Sequence, residues 1–283
     1  MTYLVDSHCH LASLSLEGKA GDSVAEIVRR AHSAGVTHFL CVSCTPAEHR
    51  EMLGKIAGLK GIYTACGVHP LNLEEAPDWT EEELIECLKA PSTVALGETG
   101  LDYHYASETA RAQQASFARQ IDLAHEVKLP LIIHAREAHA DTVALMRSHN
   151  ARDVSGVMHC FCDEVAMARE CLDLGFYISF SGIVTFRAGE NVREVARYVP
   201  ADRMLVETDC PYLAPVPVRG VENEPAFVRY TLEFLAELKG MSATALAAVT
   251  SRNFEQLFKV RLEDVPLEKS ANLWKLEKAA RPL

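Results

Sequence analysis

Leu131-Ile132-Ile133-His134 is a short apolar run that ends in a histidine, and segments with helical spacing precede and follow it. A run of this length is typical of a buried strand, because helices need about ten or more residues. The same unit recurs along the chain, since an apolar run of strand length alternates with a helical segment. The eight predicted strands are residues 3–5, 38–42, 63–68, 93–96, 131–134, 157–160, 177–180 and 204–207.

The segments between these strands carry apolar residues three and four positions apart, which predicts helices. Several of them begin at Asp, Ser or Thr and end near Gly or Pro, the usual signals of helix ends. Two further helices follow the eighth strand, after a proline-rich loop at residues 211–217. The predicted helices are residues 22–34, 47–59, 81–89, 108–128, 138–149, 164–174, 191–198, 225–239 and 243–258.

Regular alternation of strands and helices predicts an α/β protein built around a parallel sheet. An open doubly wound sheet would alternate in the same way, but no glycine-rich dinucleotide loop follows a predicted strand. We therefore predict a closed (β/α)8 barrel, the TIM-barrel fold. No repeat, low-complexity run or change in composition divides the chain, so residues 1–283 are predicted to form a single domain with residues 259–283 as a C-terminal tail.

The composition is that of a soluble globular protein. Of the 283 residues 48% are hydrophobic, and 28 basic against 39 acidic residues give a formal charge of −11. No apolar run approaches the roughly 18 residues of a membrane span, and the N-terminus lacks the pattern of a signal peptide. We therefore expect a cytoplasmic protein that does not contact a membrane. The negative charge argues against a coat for duplex DNA, but not against a nuclease whose bound divalent cations meet the phosphates.

Nine cysteines cannot all pair within one chain, and their number does not suggest a secreted disulfide framework. Cys41 and Cys44 have the C-x-x-C spacing, but no second pair accompanies them. We therefore predict reduced thiols that pack in the interior rather than a structural zinc site.

Residue types that bind metal ions follow five of the predicted strands. In a TIM barrel the C-terminal ends of all strands meet at one mouth. His8 and His10 come directly after the first strand, and alternation places their side chains on one face. So many buried polar groups need partners, which a pair of metal ions would supply together. The candidate ligands are His8, His10, Glu98, His134, His159 and Asp209.

Seven motifs in this order resemble those of the TatD family of metal-dependent deoxyribonucleases. They are DSHCHL (6–11), GVHP (67–70), GETGLDY (97–103), IIHAREA (132–138), MHCF (158–161), ETDCPYL (207–213) and PVRGVENEP (217–225). The segments LDLGFYISFSGIVTF (172–186), RYVP (197–200) and PYLAPVPVRG (211–220) are similar to the bacterial YcfH-like branch. The resemblance covers nearly the whole chain and implies an amidohydrolase-like TIM barrel.

The resemblance also implies how the six candidate ligands share their ions. His8, His10 and Asp209 would hold one divalent ion, and Glu98 would bridge it to a second. His134 and His159 would complete the second site. Imidazole and carboxylate ligands suit Mg, Mn or Zn, so the residue types leave the identity of the two ions open.

Two adjacent divalent ions can activate a shared water for phosphodiester hydrolysis. We predict that Asp209 is both a ligand and the general base, and that Glu98 is catalytic as the bridging ligand. The resemblance implies a 3'-5' exonuclease that acts on single-stranded or frayed DNA, and we expect a monomer. The alternative is a metal-dependent amidohydrolase or lactonase for a small metabolite, and a third possibility is a partner-binding barrel that retains the site as a relic.

Five more residues near the predicted mouth are candidate substrate contacts. The arginines carry a planar fork of donors that suits phosphate, and the tyrosine can stack on a base. The histidine and the two residues after the eighth strand could instead only order their loops. Glu207, two residues before Asp209, either supports a ligand or points into the core. The candidates are His69, Tyr103, Arg136, Arg219 and Asn223.

Overall fold

The computed structural model describes residues 3–14 and 23–270. Its strands form one sheet, in which each strand pairs in parallel with the strands that precede and follow it in the chain. The strands are β1 (Val5–Cys9), β2 (His38–Ser43), β3 (Ile62–Cys66), β4 (Thr93–Asp102), β5 (Leu131–Arg136), β6 (Gly156–Met158), β7 (Tyr177–Phe180) and β8 (Met204–Val206).

Helices connect the strands and surround the sheet. Within the described residues they are α1 (Val24–Ser33), α2 (Pro46–Lys55), α3 (Glu81–Leu88), α4 (Tyr103–Ala106), α5 (Ala110–Val127), α6 (His139–Ser148), α7 (Val165–Asp173), α8 (Glu190–Tyr198), α9 (Val228–Leu238) and α10 (Ala243–Phe258). Ser23, Thr45, Thr80 and Ser242 cap helices α1, α2, α3 and α10, because each side chain accepts the backbone N–H three residues on.

The sheet closes on itself between β1 and the segment that follows β8. Cys9 pairs with Cys210 as in a parallel sheet, and the backbone N–H of Asp209 donates to the carbonyl of His8 at 2.9 Å. Eight parallel strands in chain order, joined end to end with helices outside, are the (β/α)8 barrel. The predicted TIM-barrel fold is therefore confirmed.

A buried carboxylate strengthens this closure. Asp6 accepts the backbone N–H of Thr208 at 2.8 Å and the hydroxyl of the same residue at 2.6 Å, across 202 residues of sequence. The hydroxyl of Ser7 adds a third link, to the carbonyl of Val206 at 2.9 Å. The two edges of the sheet are thus joined by side chains as well as by backbone.

The barrel interior is filled by alternate strand residues, as the period of two along a strand requires. Helix α10 covers the end of the barrel opposite the strand C-termini. Its Phe254 and Phe258 pack there against the side chains that fill the barrel interior. The strand residues of this inner layer include Val5, Leu40, Val42, Ala65, Ala95, Ile132, Val157 and Leu205.

Four strands extend beyond their predicted ends: β2 by one residue, β5 by two, and β1 and β4 by more. β1 runs to Cys9, and β4, predicted at residues 93–96, continues to Asp102 with every residue buried. Gly97 and Gly100 have φ of +148° and +137°, which only glycine adopts without strain. A Cβ atom at Gly100 would overlap the carbonyl oxygen of His134 on the neighbouring strand, so the glycine lets the two backbones lie close together.

Part of the predicted tail packs on the barrel. Leu262 is buried, and Ser270 donates its backbone N–H to Ser33 of α1 at 3.1 Å and its hydroxyl to Glu26. Residues 271–283, and residue 22 at the predicted start of the first helix, lie outside the described residues. None of the helices described is long and apolar enough to cross a membrane.

Candidate metal centre

The six predicted ligands lie together at the end of the barrel where the strands terminate. A cavity of about 760 Å³ opens there, and all of them except His8, which is fully buried, line it. His8 lies on β1, and His10 directly follows this strand. Glu98 lies on β4 and His134 on β5. His159 directly follows β6, and Asp209 comes three residues after the end of β8. The barrel therefore brings together residues that are far apart in sequence.

Glu98 lies between two pairs of histidines. Its Oε2 is 3.3 Å from Nε2 of His8 and 3.7 Å from Nε2 of His10. Its Oε1 is 3.1 Å from Nδ1 of His134 and 2.7 Å from Nε2 of His159. One carboxylate oxygen therefore faces each pair, which is the arrangement required of a bridging ligand.

Asp209 belongs to the first pair. Its Oδ1 is 3.5 Å from Nε2 of His10 and 3.8 Å from Nε2 of His8. Asp209 adopts a left-handed conformation with φ of +57°, and its N–H is held by the carbonyl of His8. The same contact that closes the barrel thus sets the position of this carboxylate.

Three histidines have their outward nitrogen occupied by an acceptor. His10 donates from Nδ1 to the carbonyl of Val42 at 3.1 Å, and His134 donates from Nε2 to Asp102 at 3.0 Å. His159 donates from Nδ1 to Glu207 at 3.3 Å. A proton held on the outward nitrogen leaves the lone pair of the other nitrogen directed at the site, as in histidines that bind metal.

His69 has the opposite arrangement. Its Nδ1 accepts the backbone N–H of Leu71 at 3.1 Å, so the ring proton lies on Nε2, which is 3.2 Å from Oε1 of Glu98. A nitrogen that carries its proton donates a hydrogen bond and does not bind a metal ion. His69 is therefore a donor at the edge of the centre, in agreement with its absence from the predicted ligands.

The electrostatics of the site favour cations. Burial opposes ionisation of Glu98, but His159 and His69 outweigh this effect and hold the pKa of Glu98 well below its ordinary value. Burial likewise disfavours a charge on His159, yet Glu98 and Glu207 raise its pKa well above the usual range. Burial lowers the pKa of His8. The carboxylate keeps its negative charge, and a bound cation would take the place of the proton that the raised pKa leaves on the nitrogen of His159 that faces Glu98.

The donor set fits divalent metal ions. The Nε2 atoms of His8 and His10 are 3.1 Å apart, close to the separation of two ligands that bind one ion at about 2.0–2.1 Å. Nδ1 of His8 is buried without a hydrogen-bond partner among the described residues. Burial raises the pKa of the nearby Cys44 thiol to about 11, so this cysteine is a protonated neighbour and not a thiolate ligand.

The structure separates the five candidate substrate contacts into two groups. His69 and Arg136 line the cavity. Tyr103 instead donates its hydroxyl to Asp141 at 2.8 Å, because it opens the short helix α4 and turns away from the mouth. The predicted base contact by Tyr103 therefore has no geometric basis.

The two candidates after β8 order their loop. Arg219 lies over the ring of Phe186 at 3.9 Å and donates to a backbone carbonyl. Asn223 is fully buried and donates to the carbonyls of Thr208 and Tyr212 at 2.9 and 2.6 Å. Neither side chain lines the cavity, so the loop-ordering alternative describes both residues.

A buried ion pair fixes the same loop to the first helix. Arg30 of α1 meets Glu224 with Nη2–Oε2 and Nε–Oε1 distances of 2.9 and 3.1 Å, and both side chains are at most 1% exposed. Because Glu224 follows Asn223 directly, this pair and the amide contacts together hold the segment that starts at Asp209.

The sequence alone missed three residues of the site. Asp102, which holds His134, belongs to a strand whose predicted end was six residues earlier. Tyr105 and Tyr212 line the cavity and are 63% and 60% exposed. Large exposed aromatic residues beside a cavity indicate a binding surface, but exposure cannot be read from sequence.

Comparisons with known proteins identify the family of this chain. Residues 5–259 match the family described as TatD related DNase. An Escherichia coli strain K12 protein named "uncharacterized metal-dependent hydrolase YcfH" is 47% identical over 258 residues, which cover 91% of this chain and 96% of that protein. A Klebsiella pneumoniae protein named 3'-5' ssDNA/RNA exonuclease TatD is 32% identical over 245 residues, 85% of this chain and 93% of that one.

A solved structure gives the same result for the fold. The crystal structure of YJJV, a TatD homologue from Escherichia coli K12, superposes with a TM-score of 0.83 at 28% identity. The superposition covers 91% of this chain and 98% of that one. The family match, the relatives and the shared barrel lead to one conclusion: this chain belongs to the TatD family and is a metal-dependent hydrolase.

Proposed function

We propose that this hydrolase cleaves phosphodiester bonds of single-stranded or frayed DNA, from the 3' end. The observation that carries the proposal is the position of Glu98, with one carboxylate oxygen toward each histidine pair. Two divalent ions in contact with a phosphate are a recurring arrangement in nucleases. The name of the Klebsiella pneumoniae relative supports the substrate class and the direction.

His8, His10 and Asp209 would hold one ion, His134 and His159 the other, and Glu98 both. Bound Mg, Mn or Zn would supply an activated water and neutralise charge on the phosphate. The hydrogen bonds at the outward nitrogens keep three of the histidines in the tautomer that this role requires.

Asp209 is suited to accept the proton of the attacking water. Burial opposes its ionisation, but the nearby imidazoles of His10, His159 and His8 lower the pKa of Asp209 below its ordinary value. The carboxylate is therefore ionised at neutral pH and can take a proton at an oxygen that faces the site. His69 can donate from Nε2 to a phosphate oxygen.

The mouth of the cavity offers contacts for an unpaired nucleotide. The guanidinium of Arg136 lies 5.0 Å from the ring centre of Tyr105, and both residues line the cavity. Tyr212 presents a second exposed ring. Base stacking on aromatic rings needs bases that are free of a duplex, which favours single strands or frayed ends.

A second candidate function is hydrolysis of an amide or lactone in a small metabolite. Among the residues described, Arg136 is the single lysine or arginine that lines the cavity, whereas Glu48 and Glu75 are acidic. A cavity with so few basic side chains suits a small uncharged substrate better than a polyanion. Both candidates use the same centre and differ in what enters the mouth.

The site also supports action as a monomer in a reducing compartment such as the cytoplasm. All six candidate ligands come from one chain. Nine cysteines, an odd number that cannot all pair within one chain, fit a compartment in which thiols stay reduced. Light scattering of the purified protein tests the monomer.

The decisive experiment is degradation of end-labelled single-stranded DNA by metal-stripped protein resupplied with Mg²⁺, Mn²⁺ or Zn²⁺. We expect Asp209→Asn to lose about 10²–10⁴-fold in turnover while it retains metal, and His134→Ala to lose metal as well. Asp202→Asn, at an exposed position before β8, is the matched control and should leave the rate unchanged.

Labels at the 3' and 5' ends distinguish the direction of attack. A ladder that starts at the 3' end supports the proposal. Absence of cleavage by the wild type with two ions bound, together with turnover of lactones or cyclic amides, would replace it with the second candidate.

A further inference from the structure

Three potential metal ligands lie together outside the catalytic mouth, between β3 and helices α2 and α3. His49 of α2, Cys66 of β3 and Cys87 of α3 each offer one ligand atom, and these atoms lie within 4.8 Å of one another. His49 and Cys66 are fully buried, and Cys87 is 5% exposed. The cluster faces the helical layer and shares no residue with the candidate catalytic centre.

One nitrogen of the histidine lacks a partner. Nε2 of His49 lies 3.4 Å from the hydroxyl of Thr64 and 3.2 Å from that of Thr93. Nδ1 is buried and has no hydrogen-bond partner among the described residues. A buried imidazole nitrogen without a partner costs free energy, and a metal ion is a ligand that would satisfy its lone pair.

The sulfur atoms lie in a polar environment. The guanidinium of Arg50 is 4.0 Å from Sγ of Cys87. The Cys87 thiol lies 3.7 Å from the carbonyl oxygen of Pro46, and a metal ion would displace its proton on binding. The thiolate is the form of cysteine that binds metal.

We propose that His49, Cys66 and Cys87 form a structural site for one thiophilic divalent cation, best represented by Zn²⁺. Two thiolates neutralise the charge of a dication, so the assembled centre is neutral and can remain buried. Two cysteines and one histidine are a ligand set that zinc takes with a water as the fourth ligand. Carboxylates are missing from the cluster, which disfavours Mg²⁺ and Ca²⁺.

The position of the site gives it a structural consequence. The residues before α2, Cys44 and Thr45, and Glu48 in the first turn of α2 lie on the cavity wall. β3 ends three residues before His69, which lines the same cavity. An ion held by His49 and Cys66 would link α2 to β3 on the side that faces away from the cavity. It would stabilise one wall of the catalytic cavity without contacting the substrate.

The test compares wild-type protein with Cys87→Ser and Cys66→Ser, and uses Cys171→Ser as the matched control. Cys171 is equally buried but lies on α7, away from the cluster. Each metal-stripped protein is reloaded with Zn²⁺ for metal analysis and with Co²⁺ for absorption spectroscopy. We expect the wild type and Cys171→Ser to retain one more zinc ion per chain than the two cluster variants, and to show a thiolate-to-cobalt charge-transfer band that those variants lack.

The readout is independent of DNA hydrolysis, because the candidate catalytic ligands include no cysteine and produce no thiolate band. Equal zinc content in the wild type and Cys87→Ser would overturn the proposal. If neither cluster variant folds, the spectrum of the cobalt-loaded wild type decides: no charge-transfer band refutes the site, and a band lost in His49→Ala supports it.

Discussion

Asp102→Asn tests how the second histidine pair is kept ready for a metal ion. Asp102 accepts from Nε2 of His134 at 3.0 Å with one carboxylate oxygen, and from the backbone N–H of Tyr105 at 2.8 Å with the other. An asparagine can accept only one of these hydrogen bonds, because its other end is a donor. Either the N–H of Tyr105 loses its acceptor, or the proton of His134 moves to Nδ1, the nitrogen that faces Glu98.

The magnitude follows from the burial of this carboxylate. Asp102 is fully buried, so leaving one donor without an acceptor costs about 1–3 kcal/mol. At about 1.4 kcal/mol per factor of ten, this is roughly a 5- to 150-fold change in an equilibrium constant. Loss of residues that orient metal ligands weakens binding by about 10–100-fold in other proteins. We therefore expect the ion at His134 and His159 to bind about 10–100-fold more weakly.

The assay is calorimetric titration of metal-stripped protein with Mn²⁺, which resolves the two ions when their affinities separate. Asp141→Asn is the matched control, since Asp141 binds Tyr103 and Gln114 at 2.8 and 2.9 Å but touches none of the candidate ligands. Wild-type affinity for both ions in Asp102→Asn would refute the reasoning. An equal loss in Asp141→Asn would show that any change near α4 has this effect.

Three further predictions concern stability and substrate binding. Arg30→Met should lower the free energy of unfolding by about 3–5 kcal/mol in urea titrations, because it removes the guanidinium that pairs with the buried carboxylate of Glu224, and a loss below 1 kcal/mol would contradict this. Burial lowers the pKa of His38 from 6.5 to about 4, so the unfolded chain binds a proton at this ring more readily than the folded protein does. The free energy of unfolding is therefore highest above pH 6.5 and decreases as the pH falls toward 4. Between about pH 7.5 and pH 5 the wild type should lose about 2 kcal/mol more unfolding free energy than His38→Gln, and parallel losses would exclude the effect. Arg136→Gln should raise KM for single-stranded oligonucleotides several-fold with a smaller change in kcat, as measured by initial rates, whereas an unchanged KM would remove Arg136 from the binding surface.

The architecture was predictable because it depends on local patterns. Runs such as residues 131–134 are short, apolar and flanked by helical segments, and burial on the inner face of a barrel requires this. The candidate ligands were predictable for a related reason. Histidines and carboxylates are unusual at the ends of buried strands, and all strand ends of a barrel meet at one mouth.

The remaining features depend on contacts that sequence position does not reveal. β4 continues past Leu96 because Gly97 and Gly100 allow a close approach to β5, and only the partner strand shows that the space is needed. After Asp102 the backbone turns into a helix, so side chains no longer alternate. Tyr105 reaches the cavity for that reason, and Tyr103 does not.

Closure of the barrel between β1 and the segment after β8 depends on the same contacts that bring Asp209 to His8 and His10. Asp6 and Thr208 are 202 residues apart, and the adjoining bond between Asp209 and His8 has a similar span. During synthesis on a ribosome, His8 and His10 can therefore contact Asp209 only after more than two thirds of the chain has been made. Binding of an ion by these ligands would then follow barrel closure, and its binding free energy would stabilise a contact that spans 202 residues of sequence.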